Sequence, residues 1–295
     1  MPLLHHAWRL LGGFRARRLD VSRRYERLRE AVHGTMSEFF VVRDRKTGQI
    51  CGLKILDPEK TAAFENRFPG LNKPSEADIF AQLHHPRIVR FMEKGVTRDG
   101  RHYILMQYVE GRGLNTLIHE KAPELDGRRL DLLAQMLEAI AAVHAAGFIH
   151  RDICPRNFQV SPDLSRITLM DFGLTVPNRP EFLGPGNRTG TPSFMAPEIV
   201  RRRDTDHRVD LFAFGASAYQ LCSFSLPWPT PHQANGRTAL AHDRKPPRPL
   251  TELAPHLHPQ LVGIIMKCLA PQPEDRPPTA EAIRRAIEAV PSETV

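Results

Sequence analysis

The sequence has few cysteines and no long apolar run. Its four cysteines, at positions 51, 154, 222 and 268, are widely separated and form no Cys-x-x-Cys pair. This argues against a disulfide framework and against a structural zinc site. No apolar stretch approaches the roughly 18 residues that span a bilayer, and residues 2–11 are too short and too polar for a signal peptide. We therefore expect a soluble protein of a reducing, cytoplasmic compartment.

Acidic residues are scarce near the N-terminus, where the chain is strongly basic. The formal net charge is +8, and residues 9–29 contain eight arginines against only Asp20 and Glu26. Such a run is typical of a solvated helix face, although it also suits an acidic partner protein, an acidic membrane surface or nucleic acid. It gives no strong nucleic-acid signal. The 14 histidines form no His-Glu-x-x-His pair, so we expect no metal held by histidines.

The first third of the chain reads as a small β-sheet with one helix. β-Branched and aromatic residues at 39–42 and 50–56 flank a polar turn that contains Gly48, a pattern typical of a hairpin. Residues 75–83 have helical apolar spacing after Pro74. Further strands are predicted at 88–93 and 102–109.

The remaining two thirds read as mainly helical. A stripe from Leu130 to Ala141 predicts a helix that ends at Gly147, where a C-cap glycine is expected. Residues 209–221 are apolar on nearly all sides, which is typical of a buried helix, and a last helix is predicted to start at Thr279. The pattern indicates an α+β protein with two lobes, a small β-rich one and a larger helical one.

Three motifs follow each other in this second part. Residues 150–157 read His-Arg-Asp-Ile-Cys-Pro-Arg-Asn, Asp171-Phe172-Gly173 starts 19 residues after Asp152, and Ala196-Pro197-Glu198 comes later. Each motif alone is weak, but their order and spacing are highly specific. The chain from about residue 25 to 290 resembles the eukaryotic-type (Hanks-type) serine/threonine protein kinases. The segment 190–198 resembles their substrate-docking segment rather than that of tyrosine kinases.

The resemblance implies ATP and Mg²⁺, or Mn²⁺ in its place, as cofactors and a protein as substrate. Asp152 is the expected catalytic base, and Asn157 and Asp171 are the expected metal ligands. Lys54, paired by Glu76, is expected to position the phosphates. The implied nucleotide contacts are completed by four residues: Gly34, Met106, Gln107 and Val109. Met106 occupies the gatekeeper position, and 107–109 the hinge.

Other residues take structural or regulatory roles by the same resemblance. Asp210 is expected to anchor the catalytic loop, and Arg276 to pair with Glu198, since a buried carboxylate without a partner is costly. Hydroxyls between Asp171 and Glu198 are expected sites for a phosphate that pairs with Arg151. These candidates are Thr175, Thr189 and Ser193, whereas Thr191 is expected to serve the substrate-docking wall.

The chain departs from the family pattern at two places. Its glycine-rich loop retains Gly34 but has Val32 and Ser37, so close approach of backbone amides to phosphate is expected to suffer. Cys154 stands where these kinases have a lysine that neutralises the transferring phosphate, and Arg156 is a possible substitute. The alternative to an active kinase is therefore a pseudokinase, a binding module that acts through partners with or without nucleotide.

The expected division of the chain follows the resemblance. Residues 1–24 form a basic arm, residues 25–290 a kinase domain and residues 291–295 a tail. Within the domain, the small lobe is expected at 25–109 and the large lobe at 110–290.

Overall fold

The protein, represented by a computed structural model, is described here for residues 18–33, 36–186, 188–228 and 245–291. It divides into two compact units. The first comprises residues 1–63 and 92–108, and the second comprises residues 64–91 and 109–295. Most of the basic arm and Gly34 lie outside the described residues.

The first unit is built on an antiparallel sheet in the order β1-β3-β4-β6-β5, with β2 also paired to β3. Its strands are β1 (Tyr25–Arg27), β2 (Val32–His33), β3 (Ser37–Asp44), β4 (Ile50–Leu56), β5 (Phe91–Val96) and β6 (His102–Gln107). Helix α1 (Val21–Arg24) directly precedes β1 along the chain, and helix α2 (Pro58–Glu65) follows β4.

The core of this unit comes from alternate positions of neighbouring strands. Phe40 and Val42 on β3 are buried with Leu53 and Ile55 on β4, and Tyr25 completes the cluster from β1. Because side chains alternate across a strand, residues two apart lie on one face. The apolar pattern of the sequence therefore sets the register of the β3–β4 hairpin.

The second unit is mainly helical. Its helices are α3 (Glu76–Phe80), α4 (Leu114–His119), α5 (Arg129–Ala145), α6 (Pro180–Leu183), α7 (Pro197–Val200), α8 (Arg208–Ser223), α9 (Pro259–Cys268) and α10 (Ala280–Glu288). Its short strands are β7 (Arg112–Gly113), β8 (Phe148–Ile149), β9 (Phe158–Val160), β10 (Ile167–Leu169) and β11 (Val176–Pro177). Among the described helices, none has the length and apolar character needed to cross a membrane.

The α+β class is confirmed, and several predicted boundaries are reproduced. Ser75 caps α3 by accepting a hydrogen bond from the Asp78 amide, and Thr279 caps α10. Gly147 follows α5 with a φ of 82°, a conformation that favours glycine. The buried helix predicted at 209–221 is α8.

Two details of the predicted elements were wrong. The strand predicted at 88–93 lies instead at 91–96 as β5, and Ile88 makes only an isolated bridge to Leu169. The first third of the chain contains α1 and α2 besides the predicted helix α3. The polar, weakly periodic sequences of these two helices carry little apolar signal.

Candidate active site

The loop after β8 is held by one buried carboxylate on α8. Asp210 is fully buried, and its oxygens accept hydrogen bonds from the backbone amides of His150 and Arg151, both at 2.8 Å. His144 on α5 lies 2.8 Å away through Nε2. Burial alone raises the pKa of Asp210, but these hydrogen bonds outweigh burial and hold the pKa below its usual value. An ionised Asp210 thus supports Arg151 in a left-handed conformation, at a φ of 66°.

The Asp152 carboxylate is surrounded by donors from two segments. Its Oδ1 accepts from the backbone amide of Thr191 at 2.8 Å and from Thr191 Oγ1 at 2.7 Å. Its Oδ2 accepts from Asn157 Nδ2 at 3.0 Å. Asn157 belongs to the short 3₁₀ turn Pro155–Asn157, which places its side chain back over the loop. Asp152 is therefore oriented through both oxygens.

Arg156 forms an ion pair with Asp152. The Arg156 guanidinium lies 3.5 Å from Asp152 Oδ2 and donates to Thr191 Oγ1 at 3.2 Å. Cys154, by contrast, is 1% exposed, and burial raises the pKa of its thiol to about 12. The thiol is therefore neutral at physiological pH, and Arg156 carries the positive charge at this point.

The predicted metal ligands lie on adjacent turns of the second unit. The Met170 amide donates to the Asn157 carbonyl at 2.9 Å, which brings the residue before Asp171 against the loop. Asp171 Oδ1 accepts from the Gly173 amide at 2.9 Å. The hydrogen bond to Asp152 comes from Asn157 Nδ2. The side-chain oxygen of Asn157 takes no part in that hydrogen bond. An amide oxygen and a carboxylate suit Mg²⁺, which is commonly held by one or two carboxylates together with substrate phosphates.

A column of aromatic rings runs beside these residues. Phe172 is 1% exposed and stacks on Phe80 of α3, with ring centroids 5.1 Å apart. Phe80 in turn meets Phe91 at 5.5 Å, and His150 meets Phe172 at 5.4 Å. The column links α3 to the loop after β8, which favours one orientation of the Asp171-Phe172-Gly173 turn.

The predicted Glu198–Arg276 contact is present as a buried ion pair. Two parallel hydrogen bonds of 2.7 and 2.8 Å join the guanidinium to the carboxylate, and the two side chains are 0% and 5% exposed. Arg276 also donates to the backbone carbonyl of Ala270. This bidentate pair joins α7, which overlaps the end of the segment 190–198, to the turn before α10.

The remaining predicted contacts belong to different parts of the chain. Lys54 is buried on β4, opposite Ile104 of β6. Met106 and Gln107 lie on β6 in register with Gly52 and Cys51. In the second unit, Glu76 is the first residue of α3 and Val109 is 8% exposed.

The candidate phosphorylation sites differ in accessibility. Thr175 has no exposed surface and Thr189 is 8% exposed, whereas Ser193 is half-buried. Among the described residues, none forms a hydrogen bond with Thr175 Oγ1. Arg151, the expected phosphate partner, is itself 5% exposed. Thr175 is therefore a poor candidate in this arrangement, contrary to the expectation from its position alone.

Sequence reasoning missed two features of the site. The first is His144, whose only signal is its place in the last turn of α5. The second is the Thr191 amide on Asp152, for which the sequence gives no signal because the two residues are 39 positions apart.

In the part of the chain that the structure describes, no group of three or more His, Cys, Asp or Glu residues is placed to hold a metal ion.

Comparison with known proteins identifies the family. The family model described as the protein kinase domain matches residues 25–286. The chain belongs to the protein kinase domain family. The resemblance to Hanks-type kinases is therefore confirmed, and its bacterial relatives carry kinase names.

Three relatives illustrate the similarity. The serine/threonine-protein kinase pkn3 of Myxococcus xanthus is 30% identical over 88% of this chain and 48% of its own length. PknB of Mycolicibacterium smegmatis, also named a serine/threonine-protein kinase, is 29% identical over 90% of this chain and 42% of its own. A protein named tyrosine-protein kinase MasK, of Myxococcus xanthus, is 30% identical over 91% and 43%. The chain thus spans less than half the length of these relatives.

Proposed function

We propose that this protein is an ATP-dependent serine/threonine protein kinase that transfers the γ-phosphate of ATP to hydroxyl groups of a protein substrate. The observation that carries the proposal is the doubly anchored Asp152 carboxylate beside the Arg156 cation. The loop that bears it is held by the buried Asp210. The serine/threonine-protein kinase names of pkn3 and PknB support the same activity.

Asp152 is proposed to orient the acceptor hydroxyl and to receive its proton. The acceptor oxygen then forms a bond to the γ-phosphorus, and the bond between that phosphorus and the β–γ bridging oxygen breaks, which releases ADP. Positioning and electrostatic stabilisation supply most of the rate enhancement in such transfers. The hydrogen bonds from Asn157 and Thr191 hold Asp152 for this role.

Mg²⁺, or Mn²⁺ in its place, is proposed to be held by Asn157 and Asp171. Held there, the ion would neutralise charge on the phosphates of ATP. Lys54 and Glu76 are proposed to position the phosphates, and Gly34, Met106, Gln107 and Val109 to contact the remainder of the nucleotide. The burial of the Lys54 side chain on β4 agrees with a lysine that serves a specific partner.

Arg156 is proposed to supply the positive charge that Cys154 cannot. A neutral thiol does not stabilise charge on a transferring phosphoryl group, whereas a guanidinium next to the base can do so. The 3.2 Å hydrogen bond from Arg156 to Thr191 Oγ1 supports this assignment, because it directs the guanidinium towards the base.

The direct test is transfer of labelled γ-phosphate from ATP, with Mg²⁺ or Mn²⁺, to the protein itself and to a generic basic protein. The matched control is Asp152→Asn, which keeps the shape of the side chain and removes its basicity. We expect transfer by the wild-type protein and none above background by the variant. Equal transfer by both proteins would mean that Asp152 is not the base.

A pseudokinase is the second candidate, because Cys154 is a buried neutral thiol and because Val32 and Ser37 depart from the pattern of the glycine-rich loop. This function predicts no phosphate transfer, with either no thermal shift on adding ATP or a shift without turnover. The two candidates are thus separated by the same assay with one binding measurement beside it.

The domain division and the location of the protein are also proposed. The kinase domain is placed at 25–290, between the arm at 1–24 and the tail at 291–295. Four free and buried cysteines support a reducing, cytoplasmic location. The arm is proposed to meet an acidic partner or an acidic membrane surface.

A further inference from the structure

The activation segment, residues 171–198, is anchored to the second unit at three points along its length. Near its start, Val176 and Pro177 pair with Ile149 and Phe148. Near its end, Thr191 bonds to Asp152. The third anchor lies between these two, at α6 (Pro180–Leu183), and its contacts are aromatic and backbone contacts.

The third anchor consists mainly of one buried phenylalanine. Phe182 is 1% exposed, and its ring centroid lies 5.7 Å from that of Phe68. Phe68 is 6% exposed and meets Phe64 edge-on, also at 5.7 Å. Both partners precede α3 in the sequence, so these three rings join the activation segment to the chain that leads into α3.

Hydrogen bonds secure the same anchor. The Leu183 carbonyl accepts from the Thr205 amide at 3.0 Å and from Thr205 Oγ1 at 3.2 Å. Beyond α6, the Arg188 carbonyl accepts from Arg67 Nη1 at 3.4 Å. Two backbone carbonyls of the segment thus have hydrogen-bond donors, one from Arg67, which precedes the segment in sequence, and one from Thr205, which follows it.

Only six residues, 184–189, separate this anchor from the glycine that approaches the catalytic loop. A Cβ at Gly190 would lie 2.8 Å from the Arg151 carbonyl, and the φ of Gly190 is 124°. The Arg188 carbonyl, which accepts from Arg67, lies only two residues before Gly190. The anchors at Phe182 and Arg188 therefore act close to Gly190 and Thr191, and through Thr191 on Asp152.

We propose that Phe182 and Phe68 are positioning residues that hold the activation segment in its substrate-ready arrangement, so that activity does not require a phosphate on this segment. The inference rests on the proposed kinase function. It agrees with the burial of Thr175, Thr189 and Arg151, because a phosphate on either threonine would have to open contacts that are already closed.

The first measurement is hydrogen exchange of the phosphatase-treated protein, followed by mass spectrometry. We expect slow exchange in peptides that span 176–183 and 203–207 of the wild-type protein. Phe182→Ala should exchange faster in both peptides, while exchange in α5 stays unchanged as evidence that the unit is folded. Phe224→Ala, which removes an aromatic ring outside the segment, is the matched control and should leave both peptides protected.

The second measurement is kinase activity of the same proteins on a protein substrate. The phosphatase-treated and untreated wild-type proteins should have equal kcat/KM, as should Thr189→Ala. Phe182→Ala should lose about a hundredfold in kcat/KM through misplacement of the segment, with the KM for ATP unchanged. Phe182→Leu should recover most of this loss. If Phe182→Ala does not fold, Phe68→Leu carries the same test with a smaller change.

Two results would overturn the proposal: rapid exchange of both peptides in the phosphatase-treated wild-type protein, or a wild-type activity that falls on phosphatase treatment and returns on phosphorylation of the segment. Failure of the kinase function itself would look different. In that case no form of the protein transfers phosphate, while the exchange experiment still decides whether Phe182 anchors the segment.

Discussion

Each unit contains a bidentate ion pair between an arginine and a glutamate, and the two pairs differ in their exposure to water. In the second unit the Glu198–Arg276 pair has side chains that are 5% and 0% exposed. In the first unit Arg24 makes a pair with Glu93 that is also bidentate, at 2.8 and 2.9 Å, but both side chains are 36% exposed. Similar geometry therefore has different consequences for stability. Water screens the exposed Arg24–Glu93 pair, whereas the buried Glu198–Arg276 pair is not screened.

The comparison extends to the groups expected to carry the chemistry. In the second unit Asn157 donates a hydrogen bond to Asp152, and Asp210 accepts from the backbone amides of His150 and Arg151, which directly precede Asp152. In the first unit the departures from the family pattern cluster in the glycine-rich loop. The loop after β8 thus holds its polar groups in a hydrogen-bonded network, whereas the first unit carries the departures at Val32 and Ser37.

The largest effect is expected from breaking the buried ion pair. Glu198→Ala leaves the Arg276 guanidinium buried without its carboxylate, which should lower the free energy of unfolding by about 3–5 kcal/mol. Urea unfolding followed by circular dichroism measures this. The double variant Glu198→Ala, Arg276→Leu should be less destabilised than the single variant, and a larger loss in the double variant would contradict this account.

A smaller effect, on activity rather than stability, is expected at Arg156. Arg156→Ala should lower kcat by about a hundredfold, because one electrostatic contact to the transferring phosphate is lost. Since this side chain is 59% exposed, its loss should leave the melting temperature nearly unchanged.

Cys154→Lys is the compensating change for Arg156. It restores a cation two residues after Asp152, so Arg156→Ala, Cys154→Lys should be more active than Arg156→Ala alone. An Arg156→Ala variant with wild-type kcat would show that this charge takes no part in the transfer.

The exposed pair should contribute much less. Arg24→Ala is expected to change the free energy of unfolding by about 1 kcal/mol or less, with the effect decreasing in high salt. Hydrogen bonding by Arg24 holds the pKa of Glu93 below its usual value. The stability that ionised Glu93 contributes is therefore fully present above the unfolded-state pKa of about 4.3. This stability is lost as pH falls through the lower folded-state pKa of Glu93. Melting temperatures of wild-type protein and Glu93→Gln, measured from pH 3 to pH 7, should converge at the acid end.

The smallest effect is expected from thiol reagents. Burial raises the pKa of Cys154, Cys222 and Cys268 to about 12 in each case, so few thiolates exist at pH 8 and access is closed. Iodoacetamide should label these three residues only after unfolding, as measured by peptide mass spectrometry. Rapid labelling of Cys154 in the folded protein would show that the catalytic loop opens more readily than its contacts indicate.

Much of the fold was predictable because it depends on local patterns. Alternating apolar residues predict the β3–β4 hairpin, and the stripe before Gly147 predicts α5. The strand at 91–96 was predicted three residues too early, at 88–93, because the apolar residues at 88 and 89 extend the strand pattern. In the structure these two residues are buried in the second unit. α6 has only four residues, too few for any helical period to be detected.

The sequence by itself determined which residues are available for chemistry, since the spacing of the motifs around Asp152, Asn157 and Asp171 can be read directly from the amino-acid sequence. Only the tertiary structure decided which charge accompanies Asp152 and what holds the activation segment. Those contacts join residues that are far apart in sequence, such as Thr191 with Asp152 and Phe182 with Phe68. Their partners are selected by burial and by the satisfaction of polar groups across the whole unit, which no local pattern encodes.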